Sequence, residues 1–164
     1  MSDTVSKRQH PVNRSTRRPP RSAAGDAVGE LVVHVFRLNG LLIAVGDAMA
    51  EPSGQTSARW RVLAAIGEAP LTVAQIARAW WLTRQSVQRV ADVLVEDGLA
   101  AYEANPSHRR AKLLRITPAG LSALREIRLR QRTWAEFLGA EIGEAELRQA
   151  NATLTRVLEA LTSS

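Results

Sequence analysis

The chain has 164 residues, 45% of them hydrophobic, which suits one domain of moderate size or two small lobes that share a core. It contains no cysteine, which excludes a disulfide framework, thiolate metal sites and a cysteine redox switch. The formal net charge is +6, and five of these charges lie in residues 1–22, where six basic side chains oppose one acidic one. An anionic partner is therefore expected to meet a basic tail and local patches, because the rest of the chain is nearly neutral.

No arrangement of residues is typical of an enzyme or a metal site. His10, His34 and His108 lie too far apart for zinc-ligand spacing. A glycine-rich phosphate loop and a serine–histidine–carboxylate arrangement are both absent from the sequence. We therefore expect no enzymatic activity, no metal and no cofactor.

Residues 1–23 are expected to form a disordered, basic N-terminal arm. They are rich in proline, serine and threonine and cannot bury enough apolar surface to offset the entropy of ordering. The arm either contacts a DNA backbone or is a solubilising leader, and both interpretations stay open. It lacks a hydrophobic signal core, and the apolar runs that follow are expected to be too short to span a bilayer. A cytoplasmic location without a membrane partner is therefore expected.

The apolar pattern of residues 26–50 predicts a long helix. Six apolar residues recur at steps of four and three: Leu31, Val35, Leu38, Leu42, Val45 and Met49. Four more widen the apolar face: Val28, Val32, Phe36 and Ile43. A helix this apolar needs neighbours on two sides, which suggests a subunit interface.

Residues 56–117 predict a winged helix-turn-helix. A helix near residues 57–66 is followed by a capping box, Thr72 with Gln75, that begins the next helix. Thr83 caps a further helix, which Gly98 ends. Two extended segments, residues 99–103 and 112–117, flank a turn-rich basic tip and predict a β-hairpin.

The last two helices are predicted over residues 118–162. Thr117 and Pro118 supply an N-cap and a proline at the first helical position. Apolar residues again recur at steps near four and three in both helices. The expected fold is therefore mainly α, with a small β-hairpin as its wing, in a single domain over residues 24–164.

The helix that follows Thr83 has an apolar side and a strongly polar side. A DNA major groove admits one α-helix, where arginine can form two hydrogen bonds with guanine and glutamine two with adenine. The candidate DNA-contacting residues of this segment are Thr83, Arg84, Gln85, Ser86, Gln88 and Arg89. Taken alone, this polar face is equally consistent with an ordinary solvated helix surface.

The hairpin favours the nucleic-acid interpretation. Arg109, Arg110 and Lys112 crowd its tip, and no acidic residue lies between Asn105 and Lys112. Like charges on an exposed turn repel one another unless an anionic partner neutralises them, and a narrow minor groove is such a partner.

The order of these parts resembles the multiple-antibiotic-resistance-regulator (MarR) family of bacterial transcription factors. The resemblance runs from about residue 26 to the C-terminus and is strongest over "LTVAQIARAWWLTRQSVQRVADVLVEDGLA" and "NPSHRRAKLLRITPAG". It implies an obligate homodimer in which helices 26–50 and 118–162 intertwine as a dimerisation lobe. It also implies that the recognition helices enter successive major grooves of a pseudo-palindrome, and that Arg110 enters the minor groove with Arg109 beside it.

The chain departs from the family pattern in its wing. Many members have aspartates that brace the wing arginine, whereas this chain has Asn105 and His108 at those places. Either a neutral hydrogen bond supplies the brace, or His108 itself touches phosphate.

A second departure lies between the two helices of the helix-turn-helix. Trp81 stands where many members have a glycine, which suits a positive φ. Either the turn is reshaped or packing stabilises Trp81. We expect Trp80 to enter the core beneath the recognition helix and Trp81 to lie over the turn, near the DNA backbone or the dimerisation lobe. The alternative is that both indoles fill the core.

Family members often bind small aromatic or lipophilic molecules in a crevice between the DNA-binding and dimerisation parts. The candidate ligand-binding residues on the corresponding elements are His34, Arg37, Trp60 and Trp134. The alternative is that these are core and interface residues.

The sequence therefore predicts a homodimeric regulator that binds double-stranded DNA sequence-specifically at a pseudo-palindromic operator. We expect a repressor that a small lipophilic or aromatic ligand releases. The alternative function is a winged-helix module that docks another protein and does not bind DNA specifically.

Overall fold

The structure, a computed structural model, describes residue 20, residues 22–108 and residues 110–163. The predicted disordered arm over residues 1–23 lies almost wholly outside the described residues, as does Arg109.

Six α-helices and three short strands make up the described chain, so the prediction of a mainly α winged helix-turn-helix is confirmed. The helices are α1 (Ala23–Ala50), α2 (Ser57–Ala65), α3 (Val73–Ala79), α4 (Arg84–Glu96), α5 (Pro118–Ile142) and α6 (Glu144–Thr162). The strands are β1 (Leu71–Thr72), β2 (Ala100–Glu103) and β3 (Leu113–Ile116).

Helix α1 begins three residues earlier than predicted. The side-chain oxygen of Ser22 accepts a hydrogen bond of 3.1 Å from the backbone N–H of Gly25, which satisfies one of the free donors of the first turn. The helix passes into a 3₁₀ turn, Glu51–Ser53, and Gly54 then ends it with a left-handed backbone (φ 66°). This end agrees with the prediction.

The predicted caps at the following helix starts are all formed. The Thr72 hydroxyl accepts from Gln75 N–H at 3.2 Å, and the Gln75 side chain accepts from Thr72 N–H at 2.8 Å. The Thr83 hydroxyl accepts from Ser86 N–H at 3.1 Å at the start of α4. At the start of α5 the Thr117 hydroxyl accepts from Gly120 N–H and donates to the Gly98 carbonyl. These local bonds set where α3, α4 and α5 begin.

The predicted hairpin is present and belongs to a three-stranded antiparallel sheet in the order β1-β3-β2. Strand β2 pairs with β3 from Ala100 opposite Ile116 to Glu103 opposite Leu113, and β1 pairs Leu71 with Leu114. The sequence did not predict β1, because two residues are too few to show the alternation that indicates a strand. This strand ties the start of α3 to the base of the wing.

The described chain forms two compact units. One runs from Val35 to Trp134, and the other combines the segments before Val35 and after Trp134. The first contains a core to which α2, α3, α4, β3 and α5 all contribute fully buried side chains: Leu63, Ile66, Ile76, Val87, Leu94, Leu114 and Leu124. This core holds the helix-turn-helix and the base of the wing together.

One helical stretch among the described residues, Ala23–Ser53, is long and apolar enough to cross a membrane when judged by length and composition only. By this measure, the expectation that every apolar run is too short was wrong. Each uninterrupted apolar run is short, but the helix combines several of them.

The close approach of α5 to the preceding segment gives a stability prediction. A Cβ at Gly120 would collide with the Leu99 backbone carbonyl oxygen and would lie 2.9 Å from Ile116 Cγ1. Because a backbone oxygen cannot rotate away, Gly120→Ala should lower the free energy of unfolding by about 2–3 kcal/mol. Chemical denaturation measures this, with the exposed neighbour Ser122→Ala as a control that should cost nothing. Equal stability of the two variants would contradict the assigned packing.

Candidate nucleic-acid interface

Helix α4 is divided lengthwise into a buried side and an exposed polar side. Val87, Ala91 and Leu94 are buried in the core. Four of the predicted DNA-contacting residues are exposed on the helix: Arg84, Gln85, Gln88 and Arg89. The core therefore fixes the rotation of α4 about its axis and leaves these side chains accessible.

A groove of about 620 Å³ lies between the start of α3, helix α4 and the wing. Five predicted contact residues line it: Arg84, Gln85, Gln88, Arg110 and Lys112. Tyr102 of β2 and the small residues Thr72, Val73, Ala74 and Ala111 complete its walls. The fold thus joins residues from two separate sequence segments in one cationic concave surface.

Thr83, Ser86, Arg89 and His108 do not line this groove. Thr83 and Ser86 form the α4 cap, because the Ser86 hydroxyl also donates to the Thr83 carbonyl at 2.9 Å. His108 is exposed in the wing turn.

A hydrogen-bond network joins the recognition helix to the wing. The Gln88 side-chain nitrogen donates to Asp92 Oδ1 at 2.8 Å and to the Tyr102 hydroxyl oxygen at 2.7 Å. The Tyr102 hydroxyl donates to the same Asp92 oxygen at 2.8 Å. Both amide hydrogens of Gln88 are therefore occupied, and its carbonyl oxygen remains to accept a hydrogen bond. Sequence reasoning missed Asp92 and Tyr102, although Tyr102 is the only tyrosine of the chain.

Tyr102 is held in its protonated form. Burial, followed by the hydrogen bond to Asp92 and its negative charge, raises the pKa of Tyr102 to about 12. The Lys112 ammonium nitrogen lies 6.0 Å from the centre of the Tyr102 ring, at the outer limit of a cation–π contact. The neutral Tyr102 hydroxyl therefore stays hydrogen-bonded to the Asp92 carboxylate, beside the basic side chains of the groove.

The wing turn is braced by neutral hydrogen bonds. The Asn105 side-chain oxygen accepts from Ser107 N–H at 3.0 Å, and the Asn105 carbonyl accepts from His108 N–H at 3.3 Å. Arg110 and Lys112 are exposed, and neither forms an ion pair with a described acidic residue. The brace therefore acts on the backbone of the turn.

The structure contradicts the expectation for Trp80 and one of the two alternatives given for Trp81. Trp80 does not enter the core, since it is 44% exposed, and Trp81 gains no burial from packing, since it is 79% exposed. The alternative that both indoles fill the core is wrong for the same reason. Trp81 nevertheless has the positive φ expected at this position, 53°. The turn keeps the glycine-like backbone although it carries an indole.

The four candidate ligand-binding residues have different surroundings. His34 and Arg37 are exposed on α1, and His34 borders a shallow groove that runs along that helix. Trp60 packs against the hydrophobic core, and its ring would lie 3.7 Å from a Cβ at Gly46. Trp134 is half-buried on α5. Trp60 thus contributes to the core, as the alternative interpretation holds.

Together, the capped helix pair, the three-stranded sheet and the basic wing define a winged helix-turn-helix protein of the kind found in transcription regulators. Residues 53–111 match the sequence pattern of the MarR family. The chain belongs to the MarR family of transcriptional regulators.

Other proteins are similar to the chain along most of its length. Rv2011c, an uncharacterized protein of Mycobacterium tuberculosis, is 40% identical over 136 residues, which cover 83% of this chain and 95% of that protein. The MarR family transcription regulator SP03579 superposes with a TM-score of 0.74 at 21% identity, covering 86% of this chain and 96% of that one. MarR of Staphylococcus aureus, solved with salicylate and kanamycin, gives a TM-score of 0.73 at 16% identity, over 84% and 94% of the two chains. The two solved structures support the fold.

The network around Tyr102 predicts an unusual titration. The absorbance of the single tyrosine should titrate with a midpoint near pH 12 in the folded protein, above the ordinary value of about 10. The pKa of Tyr102 is higher in the folded protein than in the unfolded chain. The protonated hydroxyl therefore adds to the free energy of unfolding below pH 10, and this contribution is lost as the pH rises from 10 to 12.

Asp92→Asn should lower this pKa but leave it above 10, because burial remains the larger cause. Glu96→Gln, on the exposed side of the same helix, is the matched control and should leave the midpoint unchanged. A wild-type midpoint near 10 would show that the network does not form.

Proposed function

We propose that the protein is a sequence-specific, double-stranded-DNA-binding transcriptional repressor that acts as a homodimer. The proposal rests on one groove that polar side chains of α4 and basic side chains of the wing line together. These residues are Arg84, Gln85, Gln88, Arg110 and Lys112. One wall offers hydrogen-bonding groups to bases, and the other offers unpaired positive charge to phosphates.

In the proposed complex α4 lies in the major groove. Arg84 and Gln85 are exposed at the N-terminal end of the helix, the end that reads base edges in helix-turn-helix proteins. Gln88 has only its carbonyl oxygen available, so it accepts a hydrogen bond from adenine N6 or cytosine N4. Arg89, Thr83 and Ser86 would lie toward the phosphates beside the groove.

The wing supplies the second contact. Arg110 would enter the minor groove, with Arg109 and His108 beside it, because a narrow minor groove has enhanced negative potential. The absence of a described acidic partner for Arg110 leaves its full charge available to DNA. The basic arm over residues 1–23 would add contacts to the backbone.

The dimer is proposed from the surface of α1. A series of large apolar side chains on this helix is exposed in the protomer: Val28, Val32, Val33, Val35, Phe36, Leu38, Leu41, Leu42 and Ile43. Contiguous apolar surface of this kind marks an interaction site in a soluble protein. A second copy of the chain would cover it with its own dimerisation helices, 26–50 and 118–162, in the cytoplasm.

Release by a small aromatic or lipophilic molecule completes the proposal. It is supported by the likeness to staphylococcal MarR, which was solved with salicylate. His34, Arg37 and Trp134 remain the proposed contacts, together with Trp60, which packs against the core.

A salt titration tests the DNA-binding proposal. Affinity for duplex DNA should fall steeply with salt and keep a sequence-specific component, because phosphate contacts release counterions. Arg110→Ala should reduce the slope of log affinity against log salt by about one per protomer without unfolding the protein. Arg125→Ala, an exposed arginine on α5, is the control and should not change it. Weak, sequence-blind binding by the wild type would instead support the protein-docking alternative.

Selection of bound sequences from random duplex DNA tests base reading and dimer geometry together. Wild-type protein should select two half-sites about 10–10.5 base pairs apart, as a two-fold symmetric dimer requires. Gln85→Ala should relax preference at one position per half-site by about 1–3 kcal/mol, with non-specific affinity nearly unchanged. Gln149→Ala, exposed on α6, is the control. Identical motifs from Gln85→Ala and wild type would show that this helix face does not read bases.

A further inference from the structure

The turn between α3 and α4 holds a strained residue. Among the described non-glycine residues, Trp81 alone has a positive φ, 53°. A bulky side chain disfavours this backbone region, which glycine adopts freely. The conformation is fixed by the surrounding turn, in which Leu82 N–H donates to the Ala77 carbonyl at 2.9 Å. The backbone is therefore strained at Trp81, because this position carries an indole and not a glycine.

Packing within the protomer does not compensate this strain. Trp81 is 79% exposed, more than any other large hydrophobic residue described. Exposed aromatic surface gains free energy only when a partner covers it. Strain kept at an exposed side chain is a feature of functional sites, so the compensation is expected in a complex.

The surroundings of Trp81 identify the chemistry of that partner. The indole borders a groove of about 380 Å³ whose other lining residues are Ala74, Ala77, Arg78, Leu82, Thr83 and Arg84. The groove is largely apolar and carries two guanidinium groups, neither of which is ion-paired with a described acidic residue. Apolar surface beside unpaired arginines fits a deoxyribose ring beside its phosphates.

The position of this groove is continuous with the candidate DNA-binding groove. Ala74 and Arg84 line both. In helix-turn-helix complexes the first helix crosses the DNA backbone while the second enters the major groove. A side chain on the turn between the two helices therefore meets the sugar–phosphate backbone at the edge of the major groove.

We propose that Trp81 is a DNA-contacting residue that packs against a backbone deoxyribose at the major-groove edge, with Arg78 and Arg84 holding the adjacent phosphates. The inference rests on the proposed DNA-binding function and deepens it. The contact positions α4 on the duplex and carries no sequence information of its own.

Three variants of Trp81 separate the contact from the strain. Trp81→Gly removes both the indole and the strain, so its melting temperature should exceed that of Trp81→Ala, which keeps a side chain at positive φ. Both should lose about tenfold in affinity for the selected operator duplex, because both lose the same apolar contact. Trp81→Phe should retain most of the affinity.

The salt dependence provides a second readout. The salt slope depends on how many phosphates the charged side chains neutralise, and Trp81 is uncharged. The salt slope of Trp81→Gly should therefore equal that of wild type, although its affinity is lower. Trp80→Phe is the neighbouring control, because Trp80 borders neither groove, and its affinity should stay within about twofold of wild type.

The outcomes distinguish this inference from the proposed function. Wild-type affinity in Trp81→Gly, together with salt-dependent specific binding by the wild type, overturns the role of Trp81 and leaves the repressor proposal intact. A lower sedimentation mass of free Trp81→Gly overturns the inference in favour of a second copy as the occupant. Absence of specific DNA binding by the wild type overturns both proposals.

Discussion

Burial of one side of α4 is the constraint on which the rest of the interface depends. Val87, Ala91 and Leu94 are at most 1% exposed, so α4 cannot rotate about its axis without exposing apolar surface to water. The same burial points Arg84 and Gln85 away from the core. The β1–β3 pairing places the start of α3 against the base of the wing, where Leu71 lies opposite Leu114. The core and the sheet together set the separation between α4 and the wing.

Within that frame, one polar network joins α4 to strand β2 beside the groove. Asp92 is the acidic residue of α4 that lies beside the groove, and it accepts hydrogen bonds from Gln88 and Tyr102. Its hydrogen-bond donors are neutral, and Arg110 and Lys112 form no ion pair with a described acidic residue. Asn105 likewise braces the wing turn through a neutral acceptor. The groove therefore keeps a strong positive charge without requiring an acidic brace, and this charge suits an anionic partner.

The local signals were sufficient to predict most of the fold. Thr72 with Gln75, Thr83, and Thr117 with Pro118 each determine a helix start through bonds within three residues, so they could be recognised from sequence. Features that depend on distant partners could not. Strand β1 exists because Leu71 meets Leu114, and the role of Tyr102 exists because α4 brings Gln88 to it. The predicted burial of Trp80 was wrong because composition does not show which side of a turn faces solvent.

Composition alone also fails to predict the surroundings of helix α1. Length and hydropathy alone would permit α1 to cross a bilayer. In hydrocarbon, however, the charged or polar side chains of Glu30, Arg37, Asn39 and Asp47 would be costly to bury. The Asp47 carboxylate instead accepts a hydrogen bond of 2.6 Å from Ser57 N–H, which lowers the pKa of Asp47 and keeps it charged. This bond joins α1 to the start of α2, so the C-terminal end of α1 is part of the folded unit that contains the helix-turn-helix. The exposed apolar surface of such a helix suits the interrupted apolar face of a second protein helix, as the proposed dimer requires.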